Sequence, residues 1–187
     1  MRSAFVVRER ALPLLKEQEN SRISLTVRSA TRDDIATVVG MANAFNATLG
    51  KPDDRYSVAR LSELVFGKDA FVHILVASAV SRVRGYATYH RAFDPFLAAP
   101  ALWLADLYVQ PEWRGRGFGA ALMAGLASEV LKSGAESLWW GVDRDNEAGQ
   151  RFYRRLGATD INDSIFVLQA SVLTGLALAH EAKEELT

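Results

Sequence analysis

The chain contains no cysteine. That excludes a disulfide scaffold, a thiolate-bound metal and a cysteine nucleophile together. Histidine is scarce as well: His73, His90 and His180 stand far apart, at no metal-ligand spacing. Charge of one sign is not in surplus, because 22 Lys plus Arg balance 22 Asp plus Glu. A protein that lives on nucleic acid or an anionic membrane carries a standing basic excess, so neither partner is expected. Long apolar runs are missing too. The best stretch, Phe96 to Val109, is cut by Pro100 and Asp106 and falls short of the roughly 18 residues of a membrane span. Arg8, Glu9 and Arg10 interrupt the start before a secretory apolar region can form. A cytoplasmic protein of one domain is the expectation for 187 residues of this composition.

What is present has a readable order. Residues 1–21 mix charges and apolar residues around Pro13 and read as an N-terminal extension. Ile23, Leu25 and Val27 alternate with polar residues, which predicts a half-buried strand. Thr31 then opens a helix with Asp33 and Asp34 in its first turn and an apolar stripe of Ile35, Val38, Val39, Ala42 and Phe45. A second helix spans about Ser57 to Phe66. Runs at Phe71 to Val80, Arg84 to Phe93 and Leu102 to Val109, with short links, predict an antiparallel meander broken at Pro100. After it come a helix over Gly119 to Lys132, a buried strand over Ser137 to Val142, a helix over Glu147 to Leu156 and a strand over Ile165 to Gln169. The order implies an α/β fold, a mixed and mostly antiparallel sheet flanked by helices over 22–170, with a helical tail over 171–187. In this reading His73 is a satisfied core residue, and Trp139 and Trp140 pack on a buried strand.

The chemistry concentrates in Arg114-Gly115-Arg116-Gly117-Phe118-Gly119-Ala120, between a strand and a helix. Alternate glycines let backbone N–H groups approach a ligand, and the helix that follows points its positive end at the same spot. Two arginines add mobile charge. Together these make a cradle for a pyrophosphate. A Walker loop would need a Gly-Lys-Ser/Thr ending, which is absent. Gly115, Gly117 and Ala120 satisfy G-x-G-x-x-A formally, but a dinucleotide motif should open a βαβ unit, and here three antiparallel strands come first.

The third pattern, R-x-x-G-x-G over Arg114, Gly117 and Gly119, resembles the GNAT superfamily of N-acetyltransferases. The resemblance runs from about Ser24 to Gln169. Asn146-Glu147 followed by Arg151-Phe152-Tyr153-Arg154-Arg155-Leu156-Gly157-Ala158 is similar to its second signature. Gly85-Tyr86-Ala87, Tyr89, Asp94-Pro95-Phe96 and Asp106 look most like the diamine and polyamine branch. The resemblance implies a single-domain GNAT fold, acetyl-CoA as cosubstrate without a metal, and direct transfer to a small-molecule amine in a ternary complex. It also leaves room for a homodimer. Leu107, Tyr108 and Val109, the loop Arg114 to Ala120, and Asn146 would hold the cofactor. Tyr153 would both touch the cofactor and donate to the departing thiolate, and Asp94 and Asp106 would contact the substrate. One departure stands out: Ala105-Asp106 replaces the Glu-Asp of the related enzymes, whose Glu is the proposed base. Asp106, Asp94 or His90 could act through water, or the substrate could differ from a polyamine. Because side chains alternate along a strand, Asp106 replaces the glutamate only if a bulge turns it inward. Acetylation of a protein N-terminus or lysine, and a catalytically silent CoA-binding module, are the rival readings.

Overall fold

The computed structural model describes residues 24–52 and 54–162. The expected strand at 165–169, the extension at 1–21 and the tail at 171–187 lie outside them. Five strands form one sheet in the order β1 (Thr26–Ser29), β2 (His73–Ala79), β3 (Arg82–Asp94), β4 (Ala99–Val109) and β5 (Ser137–Trp139). Neighbours are antiparallel except β4 and β5, which run parallel. A parallel pair needs a crossover, and α3 (Phe118–Ser133) supplies it. Helices α1 (Ile35–Thr48) and α2 (Val58–Phe66) join β1 to β2, and α4 (Glu147–Arg155) follows β5.

Local signals explain most of these starts and stops. Asp34 Oδ2 accepts the N–H of Thr31 at 2.7 Å and its hydroxyl at 2.9 Å, and a 3-10 turn, Arg32–Asp34, leads into α1. Ser57 Oγ accepts the N–H of Arg60 at 3.2 Å and caps α2. Gly134, in the left-handed region, ends α3.

The apolar residues divide between the two faces of the sheet. Leu75, Leu102 and Leu104 pack with Phe118, Leu122 and Leu126 of α3 on one face. Ile74, Val76, Tyr86 and Tyr108 pack with Ile35, Val38 and Leu61 on the face of α1 and α2. Each fully buried leucine here contributes about 2 kcal/mol by removal from water. Among the described residues no helix is long and apolar enough to cross a membrane.

Three expectations need correction. Strand β4 starts at Ala99 and takes in Pro100, which pairs with Phe93. A proline is tolerated there because it is at the strand's beginning. Strand β5 has three residues rather than six. His73 is exposed rather than core, with its ring stacked on Tyr89 at 5.2 Å.

Candidate active site

The parallel pairing of β4 with β5 covers only Ala101, Leu102 and Trp103, opposite Ser137, Leu138 and Trp139. Beyond Trp103 the two strands part, and among the described residues β4 has a free edge up to Val109. The N–H of Gln110 bonds to Arg84 O at 2.9 Å. By the alternation of an antiparallel ladder, Tyr108 and Asp106 also turn their N–H groups to β3, while Leu107 and Val109 turn theirs to the free edge. Val109 O accepts Arg114 Nε at 2.9 Å on that edge, as this geometry requires. Of the three residues expected along the cofactor, Leu107 and Val109 present main-chain groups to the seam. Tyr108 does not: its main chain belongs to the ladder, and its side chain is buried among α1 residues.

The glycine-rich loop closes the open end of the seam. Gly115 (φ 72°) and Gly117 (φ 87°) take left-handed conformations that glycine adopts freely, and Gly117 is the residue from which α3 starts. The first intrahelical bond runs from Ala121 N–H to Gly117 O at 2.9 Å. The N–H groups of Phe118, Gly119 and Ala120 therefore precede the ladder and point outward from a helix's positive end. A Cβ built on Gly115 or Gly117 would meet nothing within 4 Å, so the loop leading into the helix is open at both glycines. The Phe118 side chain points the other way, into the core. Arg114 lies over the Tyr108 ring at 5.7 Å, and Arg116 over Trp113 at 5.4 Å. This set of backbone donors and guanidinium groups suits a pyrophosphate.

On the α1 and α2 side of the seam stands Asp106. Strict alternation from Leu104 would place it with α3. Instead, Thr88 pairs with Asp106 while Tyr89 pairs with Leu104, so Ala105 is an extra residue and β4 bulges. The bulge exchanges the faces of everything after it. Asp106 now accepts a hydrogen bond from the hydroxyl of Tyr86, a fully buried residue. Burial pushes the Asp106 carboxyl up, against the hydrogen bond from Tyr86 and the N–H of Leu107, which favour its charged form. Among the described residues it belongs to no ion pair.

Tyr153 reaches the same place from α4. Its phenol is pushed up to about 12, first by burial and then by the negative charge of Asp106. Trp140 packs on its ring at 4.9 Å and Phe152 at 5.1 Å. The placement depends on Gly119, whose added Cβ would sit 3.3 Å from the Phe152 ring. Asn146 caps α4, its Oδ1 accepting Gly149 N–H at 2.9 Å, a structural duty beside the cofactor contact expected of it.

Asp94 is elsewhere. It pairs with Ala99, six residues along β3 from Thr88, which is roughly 20 Å of strand. It is buried, and its oxygens take the N–H groups of Phe96 and Leu97, the Ser137 hydroxyl at 2.7 Å and the Trp139 indole at 3.1 Å. Ser137 first, and these other donors with it, hold its carboxyl below the usual range. Asp94 is thus a staple between the β3–β4 turn and β5, and the two carboxylates expected at the substrate are not brought together. His90 pairs with Trp103 on the closed side of the bulge and donates from Nδ1 to Arg91 O at 2.9 Å.

Two residues around Asp106 were not singled out for a role by the sequence. One is Tyr86. The other is Tyr56, in the α1–α2 connection, whose backbone is clamped by Asn43 through two 3.0 Å hydrogen bonds. Its phenol is pushed up by burial and by the charge of Asp106. The register of β3 and β4 brings Tyr86 to this carboxylate, and the connection clamped by Asn43 brings Tyr56 near it.

Comparison with known proteins gives a consistent picture. The model of the Acetyltransferase (GNAT) family matches residues 38–158. The thialysine N-epsilon-acetyltransferase of Bos taurus is 31% identical over 107 residues, 53% of this chain and 62% of that protein. The enzyme of the same name from Sus scrofa is 26% identical over 151 residues, 75% of this chain and 88% of that protein. Among solved structures, an aminoglycoside N-acetyltransferase in complex with CoA superposes with a TM-score of 0.66 at 19% identity, covering 79% of this chain and 95% of that one. At that identity the likeness speaks to the fold.

Proposed function

From the premise that this chain belongs to the acetyltransferase (GNAT) family, we propose that it transfers an acetyl group from acetyl-CoA to a primary amine of a small cationic molecule. The observation that carries the reading is the meeting of three features at one seam: the free β4 edge, the N-terminus of α3, and the Asp106 carboxylate with the Tyr153 hydroxyl near it. The bovine and porcine relatives, by name, act on the ε-nitrogen of thialysine, a side-chain amine of the proposed class.

Acetyl-CoA supplies an activated acetyl group and a thiol leaving group. The N–H groups at the start of α3, with Arg114 and Arg116, hold its pyrophosphate. The N–H groups of Leu107 and Val109 bind along its arm and toward the acetyl oxygen. An alkyl ammonium with a pKa near 10.4 is neutral in only about one molecule in two or three thousand at pH 7, a cost of about 4 to 5 kcal/mol. Asp106 lowers that cost by drawing the ammonium in and taking its proton. Burial suits the carboxylate to this task, and the ammonium supplies the positive charge that the surrounding tyrosines do not. Tyr153, at about 12, holds its proton more tightly than a thiol of ordinary pKa near 8.5. It therefore donates a hydrogen bond to the sulfur without giving the proton up. Two protons leave the nitrogen in all. The first passes from the ammonium through Asp106 to solvent, and the second, lost as the amide forms, balances the one the thiolate takes, so each turnover releases one proton.

The test is thiol release from acetyl-CoA across a panel of amines. Small cationic amines should turn over, and Asp106→Asn should lower kcat/KM for them by about 10²-fold while CoA affinity holds. Faster turnover of peptides with free N-termini would move the acceptor to proteins. CoA binding without turnover on any amine would leave a binding module.

A further inference from the structure

We propose that Tyr86 is a positioning residue for this reaction: its hydroxyl fixes the carboxylate of Asp106 and keeps it the proton acceptor. The inference rests on Asp106 being the base, as proposed above. Tyr86 has no exposed surface, and its hydroxyl donates to Asp106 Oδ2. A buried phenol needs such a partner, and a carboxylate needs donors when it leaves water. The ring of Tyr86 is held by Tyr108, 5.9 Å away, which in turn packs on Phe45 of α1 at 5.4 Å. The donor therefore stands on a rigid strand and cannot follow the carboxylate if it swings.

The titratable groups near Asp106 come from every element around it. Tyr56 comes from the α1–α2 connection, Tyr86 from β3, Tyr108 from β4 and Tyr153 from α4, with Arg114 beyond the Tyr108 ring. All four rings are phenols, and Tyr86 is pushed far above the ordinary tyrosine range, chiefly by burial and next by Asp106. In the step itself one proton passes from the substrate ammonium to an Asp106 oxygen, and Tyr86 keeps its own throughout. Its bond favours the charged form of the acceptor, so the carboxylate stays deprotonated at lower pH than burial alone would allow.

The experiment is the pH profile of kcat/KM for a small amine. Removing the donor with Tyr86→Phe should move the acidic limb to higher pH by about one unit, the direction expected when a charge-assisted hydrogen bond to the ionised form is lost. Replacing Tyr86 by 3-fluorotyrosine, a stronger donor of nearly the same shape, should move it to lower pH; this variant serves if the phenylalanine form does not fold. Tyr89→Phe removes a hydroxyl on the same strand that faces Glu129 instead, and its limb should stay in place. An unmoved limb in both Tyr86 variants would overturn the inference and leave Tyr86 as packing. Should the limb survive Asp106→Asn, the base assignment fails first, and the inference with it.

Discussion

A phenol pushed up to about 12, as in Tyr153, is a poor acid toward a thiolate but a dependable hydrogen-bond donor at any working pH. Tyr153→Phe should therefore lower kcat by about 10²-fold under conditions where chemistry is rate-limiting, with acetyl-CoA affinity and Tm nearly unchanged because the ring remains on Trp140. Single-turnover kinetics with calorimetry separates these; an unchanged kcat would make Tyr153 a packing residue. At this scale the sequence was informative about chemistry and poor about address. Asp94 and Asp106 are both carboxylates on neighbouring strands, yet one is saturated by Ser137, Trp139 and two N–H groups while the other has the Tyr86 phenol and the N–H of Leu107. Nothing in the residue types tells them apart. The departure at Ala105 was visible, but its consequence depended on a bulge that spacing alone does not reveal.

Helix α3 unites the two properties that a pyrophosphate site needs, a left-handed glycine at its start and three outward N–H groups. Gly117→Asp separates binding from folding. Aspartate tolerates a left-handed φ better than most residues and favours a helix N-terminus, so the fold should survive with a loss of about 1 kcal/mol. The same negative charge stands where the pyrophosphate would lie, so calorimetry should find CoA affinity reduced by at least about 10²-fold. Intact affinity in the folded variant would remove the cradle from this loop. Most elements were legible because their ends are local events: Thr31 with Asp34, Ser57 with Arg60, and Gly134 closing α3. The length of β5 was not, because Gly141 and Val142 continue an apolar run whose pairing partner has already turned away.

Across the whole molecule, the ion pair of Arg28 with Asp34 ties β1 to the start of α1 at 2.6 Å. Asp34 is held at about 2, first by the hydrogen bond from Arg28, against about 3.9 in an unfolded chain. A depressed carboxyl contributes stability that is complete above the unfolded value and is lost as pH falls through the folded one. With Arg28 half exposed, we expect about 1 kcal/mol after screening. Asp34→Asn should lose that amount at pH 7, and the gap to the parent should narrow as pH falls below about 4. Urea unfolding across this range measures it, and a gap that is constant with pH would mean that the amide disrupts the turn instead.

The seam between β4 and β5 also bears on how the protein behaves among its neighbours in a crowded solution. An unpaired strand edge is a template on which a foreign strand can zip, and proteins ordinarily blunt such edges with charge, proline or a covering element. Here the free stretch of β4 is an inner edge. It opens from a closed vertex at Trp103 and Trp139, and guanidinium groups guard its far end. A strand arriving from another molecule needs about 4.8 Å of lateral room along its whole length, and a wedge that narrows to a joined pair denies it that. The protein can thus keep main-chain donors unspent for a slender ligand without inviting polymerisation along them.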